Sequence, residues 1–320
     1  MRVLIFGGGS VGLGVASCLL KAGAEVDIIG RENTIAALRE GGLIRFGIFG
    51  EFYAEAKQFR SYTSLDEIQE GVYDYILVCV KSFDTLEAAE KLSRHKRLFG
   101  ENTKIVLFQN GWGNAKKFLS YFEKERVYSA RVITGFHRVK ENKVEVTVHA
   151  ASIHIGSLFG RDLSCVEGLS GFISKGDIPC ETTDSVDKDL WAKMMFNCTL
   201  NPLGAILDVP YGVLGGNEYS RAIMNGIVEE IFDVIAAAGY KTHWGRAEDF
   251  LEVFYKKLVP NTAEHKSSTL QDILAGKNTE IDALNGAVIK LAQEYKVEVP
   301  YNLAVYNMIK FIEKSGQNSK

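Results

Sequence analysis

Two stretches of this chain carry side chains able to do chemistry. The first is Leu190-Trp191-Ala192-Lys193-Met194-Met195-Phe196-Asn197-Cys198-Thr199-Leu200-Asn201-Pro202. Lys193, Asn197 and Asn201 fall at i, i+4 and i+8, a single polar stripe on a helical segment that is otherwise apolar. Polar groups are costly to bury unless each has a partner. One cation and two amides in line therefore suit a cleft lined for a small polar anion. Structural hydrogen bonding beside a snorkelling lysine is the other reading of the same pattern. The second stretch runs from Lys266-Ser267-Ser268-Thr269-Leu270 to Asn278-Thr279-Glu280-Ile281-Asp282. Ser268 and Thr269 precede an apolar turn. Asn278 and Thr279 are cap candidates for a helix whose Ile281, Leu284, Val288 and Leu291 recur at helical spacing. Glu280 stands at the start of that helix, where dipole complementarity alone would account for it.

A third stretch binds rather than reacts. Val3 to Phe6 form a short apolar strand, and Gly7-Gly8-Gly9-Ser10-Val11-Gly12 leads into the helix-competent run Leu13 to Leu20. This is G-x-G-x-x-G between a strand and a helix. Gly7 permits the tight turn, Gly9 lets a pyrophosphate approach the backbone, and Gly12 lets the helix pack closely on the strand. The free N–H groups at the helix start face the phosphates. Gly8-Gly9-Ser10-Val11-Gly12 also fits the G-x-S-x-G nucleophile elbow of hydrolases. That elbow needs earlier strands, whereas this motif follows the first strand of the sequence.

The elements around the glycine motif choose the cofactor. Ala24 to Ile29 make a second strand and complete a βαβ unit. That strand ends in Gly30-Arg31, where an NAD enzyme usually places an acidic residue for the ribose. Arg31 offers a guanidinium to a 2′-phosphate, which favours NADP, although a solvated loop arginine reads the same way. Glu32 follows directly and keeps NAD open. The strand Tyr75 to Val80 ends in Lys81, which suits either a cofactor phosphate or ribose or a solvated strand terminus. Lys104 to Phe108 form another strand, and Asn110 beyond it can hydrogen-bond both a nicotinamide ribose and a substrate hydroxyl.

Further along, residues 43 to 59 suggest a hairpin, and residues 127 to 156 read as several antiparallel strands with a turn at Glu141-Asn142-Lys143. Leu163 to Ile173 read as a helix and Ile178 to Glu181 as a last strand. Beyond Thr182-Thr183-Asp184-Ser185 strand signals cease, which places a domain boundary near residue 183, with Asp184 as a helix cap. The expected organisation is residues 1–183 for the nucleotide domain and 184–320 for a helical substrate domain, with Gly316 to Lys320 as a loose tail.

Bulk properties narrow the function classes. The chain has 320 residues, 46% hydrophobic and 24% charged, and a net charge of −3, an ordinary globular balance. Neither nucleic acid nor an anionic membrane is favoured as a partner, and no apolar run approaches a membrane span. With the first strand at residue 2, no room is left for a signal peptide. Cys18, Cys79, Cys165, Cys180 and Cys198 form no C-x-x-C pair and read as thiols of a reducing, cytoplasmic compartment. The six histidines do not cluster at metal spacing, so no metal is expected; His149 and His154 lack a carboxylate or thiol nearby in sequence.

The whole chain, from residue 1 to about residue 312, resembles the ketopantoate reductase (2-dehydropantoate 2-reductase) family. Five segments match in order: Gly7 to Gly12, Val80-Lys81, Gln109-Asn110-Gly111-Trp112-Gly113, Trp191-Ala192-Lys193 through Asn201-Pro202-Leu203, and Ser268 to Ile273 through Thr279-Glu280-Ile281-Asp282-Ala283-Leu284-Asn285-Gly286. The last two are the most specific. The resemblance implies an α/β protein, an N-terminal Rossmann-type dinucleotide-binding domain followed by an all-α C-terminal domain. It implies NADPH-dependent reduction of 2-dehydropantoate in pantothenate biosynthesis, on the route to coenzyme A. Lys193 matches the general acid, and Glu280 the carboxylate that organises the site and its cofactor. Asn110, Asn197, Asn201 and Ser268 match substrate contacts, Ser268 suiting the carboxylate, while Arg31 and Lys81 match cofactor contacts. A family-like homodimer is an expectation of the same kind. One departure stands out: where the family often carries Asn-Gly, Pro210 is followed here by Tyr211-Gly212. That puts substrate identity in question, and another branched 2-oxo acid is the alternative. A non-catalytic NADP-sensing Rossmann protein is the rival from another class, though sensing needs no proton donor.

Overall fold

Val3 and Ile5 of the first strand point into one hydrophobic cluster, Leu4 and Phe6 into another. A strand apolar on both faces belongs inside a sheet covered on both sides. The structure, a computed structural model, describes residues 1–69 and 71–317. It divides into two units, one of Met1–Asn110 and Asn114–Val186, the other of Gly111–Gly113 and the chain from Asp187 onward.

The first unit opens with β1 (Arg2–Phe6), α1 (Ser10–Lys21), β2 (Glu25–Ile29), α2 (Glu32–Gly41), β3 (Leu43–Gly47), β4 (Phe52–Ala54), β5 (Arg60–Tyr62) and β6 (Tyr73–Val78). It continues through α3 (Thr85–Arg94), β7 (Phe99–Leu107), α4 (Asn114–Phe118), β8 (Val127–Arg131), β9 (Thr134–Lys140), β10 (Lys143–His149), β11 (Ile153–Gly156), α5 (Ser164–Lys175) and β12 (Cys180–Thr182). The large sheet has the order β12-β11-β8-β7-β6-β1-β2-β5. From β5 to β8 every neighbouring pair is parallel. Numbering only those six strands gives 3-2-1-4-5-6, the doubly wound dinucleotide-binding order, with its switch point between β1 and β6.

The strand-rich region 127 to 156 differs from the antiparallel array expected. β9 and β10 do form an antiparallel hairpin with its turn at Glu141-Asn142. β8 instead runs parallel to β7 in the main sheet, and β11 lies antiparallel to β8. β10 pairs in parallel with β3, making a separate sheet of order β4-β3-β10-β9. Alternation marks a strand but not its partner, and β3 and β10 are about a hundred residues apart. The small sheet reaches α1 through Gly14, where a Cβ would lie 2.3 Å from the Phe136 ring. Pairing β11 with β12 also sets His154 Nε2 3.0 Å from Glu181 Oε1, a carboxylate far away in sequence.

Among its described residues the second unit contains helices and loops and no strand. It comprises α6 (Val186–Leu207), α7 (Tyr211–Gly216), α8 (Glu218–Ala237) and α9 (Ala247–Val253). A π-helical turn over Phe254–Leu258 leads to α10 (Val259–Asn261), followed by α11 (Ser268–Leu274), α12 (Asn285–Tyr295) and α13 (Pro300–Gln317). Trp191, Met195 and Cys198 of α6 share its core with Ile227 and Ile231 of α8 and Val288 of α12. Gly316 and Gln317 are helical rather than a loose tail, and residues 318–320 lie outside the described residues.

Two helix starts depart from expectation. α6 begins at Val186, two residues past Asp184; in the turn before it Thr183 Oγ1 accepts from the Ser185 N–H at 3.1 Å, and Asp184 accepts from the Ser185 hydroxyl at 2.8 Å. The helix expected from Ile281 is broken into a short 3₁₀ turn, Ile281–Ala283, before α12. The reason is a competing donor. The Trp112 N–H bonds the Ala283 carbonyl at 3.0 Å, and Ala287 N–H goes to Leu284 instead at 2.9 Å.

The seat of α1 on the sheet depends on Gly12, where a Cβ would lie 2.0 Å from the Gly7 carbonyl oxygen and 3.1 Å from Ile5. Gly12→Ala is expected to cost about 1–3 kcal/mol or more by overpacking. Calorimetry should show a melting temperature lower by roughly 3–10 °C; an unchanged value would mean that α1 does not sit this close.

Candidate functional site

Parallel strands release their loops at one edge of the sheet, the carboxyl edge. The glycine turn after β1, Arg31 after β2, Lys81 after β6 and Asn110 after β7 all leave there. Gly7 N–H continues the ladder to Ile29 at 3.0 Å, and Cys79 N–H continues it to Phe6 at 2.9 Å. The turn is thereby fixed between the ends of β2 and β6. Gly7 has φ +121°, and a Cβ there would stand 2.7 Å from the Val80 nitrogen. Gly8 packs against Thr34 and Gly30. Gly9 differs: a Cβ on it would meet nothing within 4 Å. The backbone is sealed at Gly7 and Gly12 and open at Gly9, between them.

Gly9 is also the N-cap of α1. Among the described residues no side chain caps this helix, and its first turn, Ser10, Val11 and Gly12, contains no acidic residue. An uncapped helix start with an open approach is the arrangement that receives a phosphate. Arg31 is exposed at the N-cap of α2, with Glu32 in the first turn of that helix. The Asp84 carboxyl is raised above its ordinary range by burial and by Glu87, and the charge of Arg31 works against that rise.

Lys81 lies three residues beyond the end of β6, half-buried at the start of a 3₁₀ turn over Ser82–Asp84. The loops bearing Lys81 and Asn110 are stapled by side chains that sequence reasoning passed over. Gln109 Nε2 donates to the Val80 carbonyl at 3.0 Å and to Thr85 Oγ1 at 2.8 Å. Asn114 Oδ1 lies 2.9 Å from Thr85 Oγ1, and Asn114 Nδ2 donates to the Asn110 carbonyl at 2.9 Å. The only signal available was the run of polar residues directly after a buried strand.

In the second unit, α6 carries the whole polar stripe: Lys193 and Asn197 are half-buried, and Asn201 is 4% exposed. Two residues before the lysine, the Trp191 ring packs 4.5 Å from Trp112 and 5.8 Å from Tyr240. The Tyr211 hydroxyl donates to Asn201 Oδ1 at 2.5 Å. Tyr211 is buried, its phenol pushed up by that burial, and its ring stands edge-on to Phe196. The departure from the family pattern is thus wired directly to a stripe residue. A Cβ at Gly204 would lie 3.5 Å from both Tyr211 and Ser267, so the end of α6, the start of α7 and the start of α11 meet there.

Ser268 is exposed at the first position of α11. Its buried neighbour Ser267 caps that helix, accepting from Leu270 N–H at 3.0 Å. Glu280 is 7% exposed and precedes the 3₁₀ turn without capping it. That role falls to Thr279, whose Oγ1 accepts from Ile281 N–H at 3.2 Å and donates to Glu313 at 2.7 Å. Among the described residues, no three His, Cys, Asp or Glu side chains are grouped to hold a metal ion, and no helix is long and apolar enough to cross a membrane.

A doubly wound unit with an open glycine turn at its switch point has the architecture of dinucleotide-binding proteins, and here a helical unit follows it. The family model for ketopantoate reductase PanE/ApbA matches residues 3–160, and the model for its C-terminal region matches residues 185–313. The chain belongs to the ketopantoate reductase PanE/ApbA family. It is 36% identical to the 2-dehydropantoate 2-reductase of Aquifex aeolicus over 311 residues, 97% of this chain and 96% of that one. It is 29% identical to the Pyrococcus horikoshii protein of the same name over the full length of both. The crystal structure of a PanE/ApbA family ketopantoate reductase from Ralstonia eutropha superposes with a TM-score of 0.85 at 29% identity, covering 99% of this chain and all of that one. A D-mandelate dehydrogenase solved with NADH shares the fold, with a TM-score of 0.87 at 21% identity and coverage of 99% and 100%.

Gly9→Ala separates binding from folding. With open space at this position the melting temperature is expected to stay within about 2 °C of wild type. A methyl group in the phosphate approach should weaken binding of the nicotinamide dinucleotide, titrated as NADH and as NADPH, by about tenfold or more in fluorescence titration. Undiminished binding would remove the glycine turn from the nucleotide site.

Proposed function

We propose that the protein reduces the C2 carbonyl of 2-dehydropantoate to give pantoate, with NADPH as the reductant. One observation carries the reading: the same chain combines a glycine turn open only at Gly9 with a half-buried lysine on an otherwise apolar helix. The relatives from Aquifex aeolicus and Pyrococcus horikoshii that bear the name of this reaction match 97% and 100% of this chain.

The residues of the first unit hold the dinucleotide. Backbone N–H groups of Ser10, Val11 and Gly12 receive the pyrophosphate, with Gly7 and Gly8 shaping the turn. Arg31 pairs with the 2′-phosphate as a planar, permanently charged donor. Lys81 and Asn110 contact the ribose and nicotinamide portion. When bound, the dihydronicotinamide supplies the hydride. In the second unit, Lys193 acts as the general acid. Its ammonium stabilises charge developing on the C2 oxygen and then transfers a proton to that oxygen. Asn197 and Asn201 orient the substrate through their amides, Ser268 receives its carboxylate, and Glu280 organises the lysine and the substrate hydroxyl.

The Tyr211 bond to Asn201 favours a second reading of the substrate, another branched 2-oxo acid, with the reaction unchanged. Purified protein offered NADPH and a panel of 2-oxo acids decides between the two. Oxidation of NADPH followed at 340 nm is expected with 2-dehydropantoate, and Lys193→Ala should lower kcat by about 10²–10⁴-fold with melting unchanged. Turnover with a different oxo acid would move the assignment to that substrate, and NADPH binding without any turnover would reduce the chain to a sensor.

Arg31→Ala tests the cofactor separately. It is expected to raise the KM for NADPH by about tenfold or more while leaving that for NADH within about twofold. Equal changes for both would withdraw the 2′-phosphate from Arg31.

A further inference from the structure

Pro202 sits inside α6, between the turn that carries Asn197 and Asn201 and the end of the helix. In an unbroken helix the Cys198 carbonyl would accept from the N–H of residue 202, and proline has none. Cys198 is buried, so its carbonyl cannot turn to water for a replacement. The replacement comes from α12: Asn285 Nδ2 donates to the Cys198 carbonyl at 3.0 Å. The same nitrogen donates to Asn302 Oδ1 at 3.0 Å, which uses both of its hydrogens. Among the described residues Asn285 Oδ1 has no partner, so the amide is held through its donors.

Asn302 is fixed in turn. Its Nδ2 donates to Glu230 Oε2 at 2.8 Å, and the carboxylate of Glu230 also accepts the N–H groups of Tyr301 and Asn302 at 2.7 and 2.9 Å. Glu230, on α8, thereby caps the start of α13 and sets the orientation of Asn302 at once. Asn285 and Asn302 are fully buried. The relay from α8 through α13 to α12 ends on a single backbone oxygen of α6, on the turn between two stripe residues. Asn285 also lies five residues beyond Glu280, so its bond ties the segment that follows that carboxylate to the helix bearing Lys193.

We propose that Asn285 is a positioning residue: by supplying the hydrogen bond that Pro202 withholds from Cys198, it fixes the turn of α6 that presents Asn197 and Asn201. The part of this that concerns substrate rests on the function proposed above; the part that concerns the helix does not.

The proline makes a specific test available. Pro202→Ala returns an N–H to position 202 and gives the Cys198 carbonyl an intrahelical donor, making Asn285 dispensable. Wild type, Asn285→Ala, Pro202→Ala and the double variant are compared by amide hydrogen exchange over residues 198–206 and by steady-state kinetics with 2-dehydropantoate at saturating NADPH. Asn285→Ala is expected to speed exchange in that turn and raise the substrate KM by about tenfold, with the NADPH dissociation constant unchanged. In the double variant both should return to within about threefold of wild type. A defect that Pro202→Ala does not relieve, or no defect at all, would overturn the proposal, since a merely space-filling role for Asn285 has no reason to respond to residue 202. If no 2-oxo acid is turned over, the functional reading falls while the exchange data still decide the role of Asn285. Where Asn285→Ala alone fails to fold, the double variant should fold and match Pro202→Ala; its failure to fold would count equally against the proposal.

Discussion

The nucleotide unit depends on a methyl group that is not there. With 2.0 Å between the position of a Gly12 Cβ and the Gly7 carbonyl oxygen, α1 is seated on β1 at a distance no other residue would allow. That seat aims the first N–H groups of α1 at the gap between β1 and β6, where the strand order reverses. Gly14, half a turn further along, does the same for the small sheet through Phe136. One helix is therefore pinned from two sides by missing side chains, and the open approach at Gly9 is left over when the closed ones have been accounted for.

The helical unit is governed by a complementary constraint, since there the problem is polar groups placed in an apolar helix. A buried donor or acceptor without a partner costs about 1–3 kcal/mol. The unit answers with long-range partners: Tyr211 for Asn201, Asn285 for the carbonyl stranded by Pro202, and Glu313 for Thr279. Each partner arrives from a different helix. Of the polar stripe, the Asn201 amide is thereby held in place from within the unit.

What could be read from the sequence was what is encoded locally. The glycine turn, the β9–β10 hairpin and the i, i+4, i+8 stripe each lie within one contiguous segment, and each is present in the structure. What could not be read was long-range pairing. The period-2 pattern of residues 127 to 156 gives strands but cannot say that β8 joins β7 in parallel or that β10 seeks β3. The break before α12 is likewise invisible locally, because its cause is the Trp112 N–H, some 170 residues away, on the Ala283 carbonyl. Gln109, Thr85 and Asn114 were missed for the same reason: their staple exists only once β6 and β7 are neighbours.

Tyr211 turns the question of substrate into one about a single amide. Its phenol engages one lone pair of Asn201 Oδ1 and so fixes which way that amide faces. With its carbonyl engaged by the tyrosine, the other end of the Asn201 amide is its NH₂, a donor. A donor selects acceptors, such as a carboxylate or a keto oxygen, and is indifferent to whether the rest of the substrate bears a hydroxyl proton to give. Where the resemblance leads one to expect an asparagine, a buried tyrosine with its hydroxyl already committed to Asn201 adds bulk and an apolar ring instead. A donor amide on the same helix as a lysine suits the 2-oxo acid proposed above, whose carboxylate and keto oxygen are both acceptors.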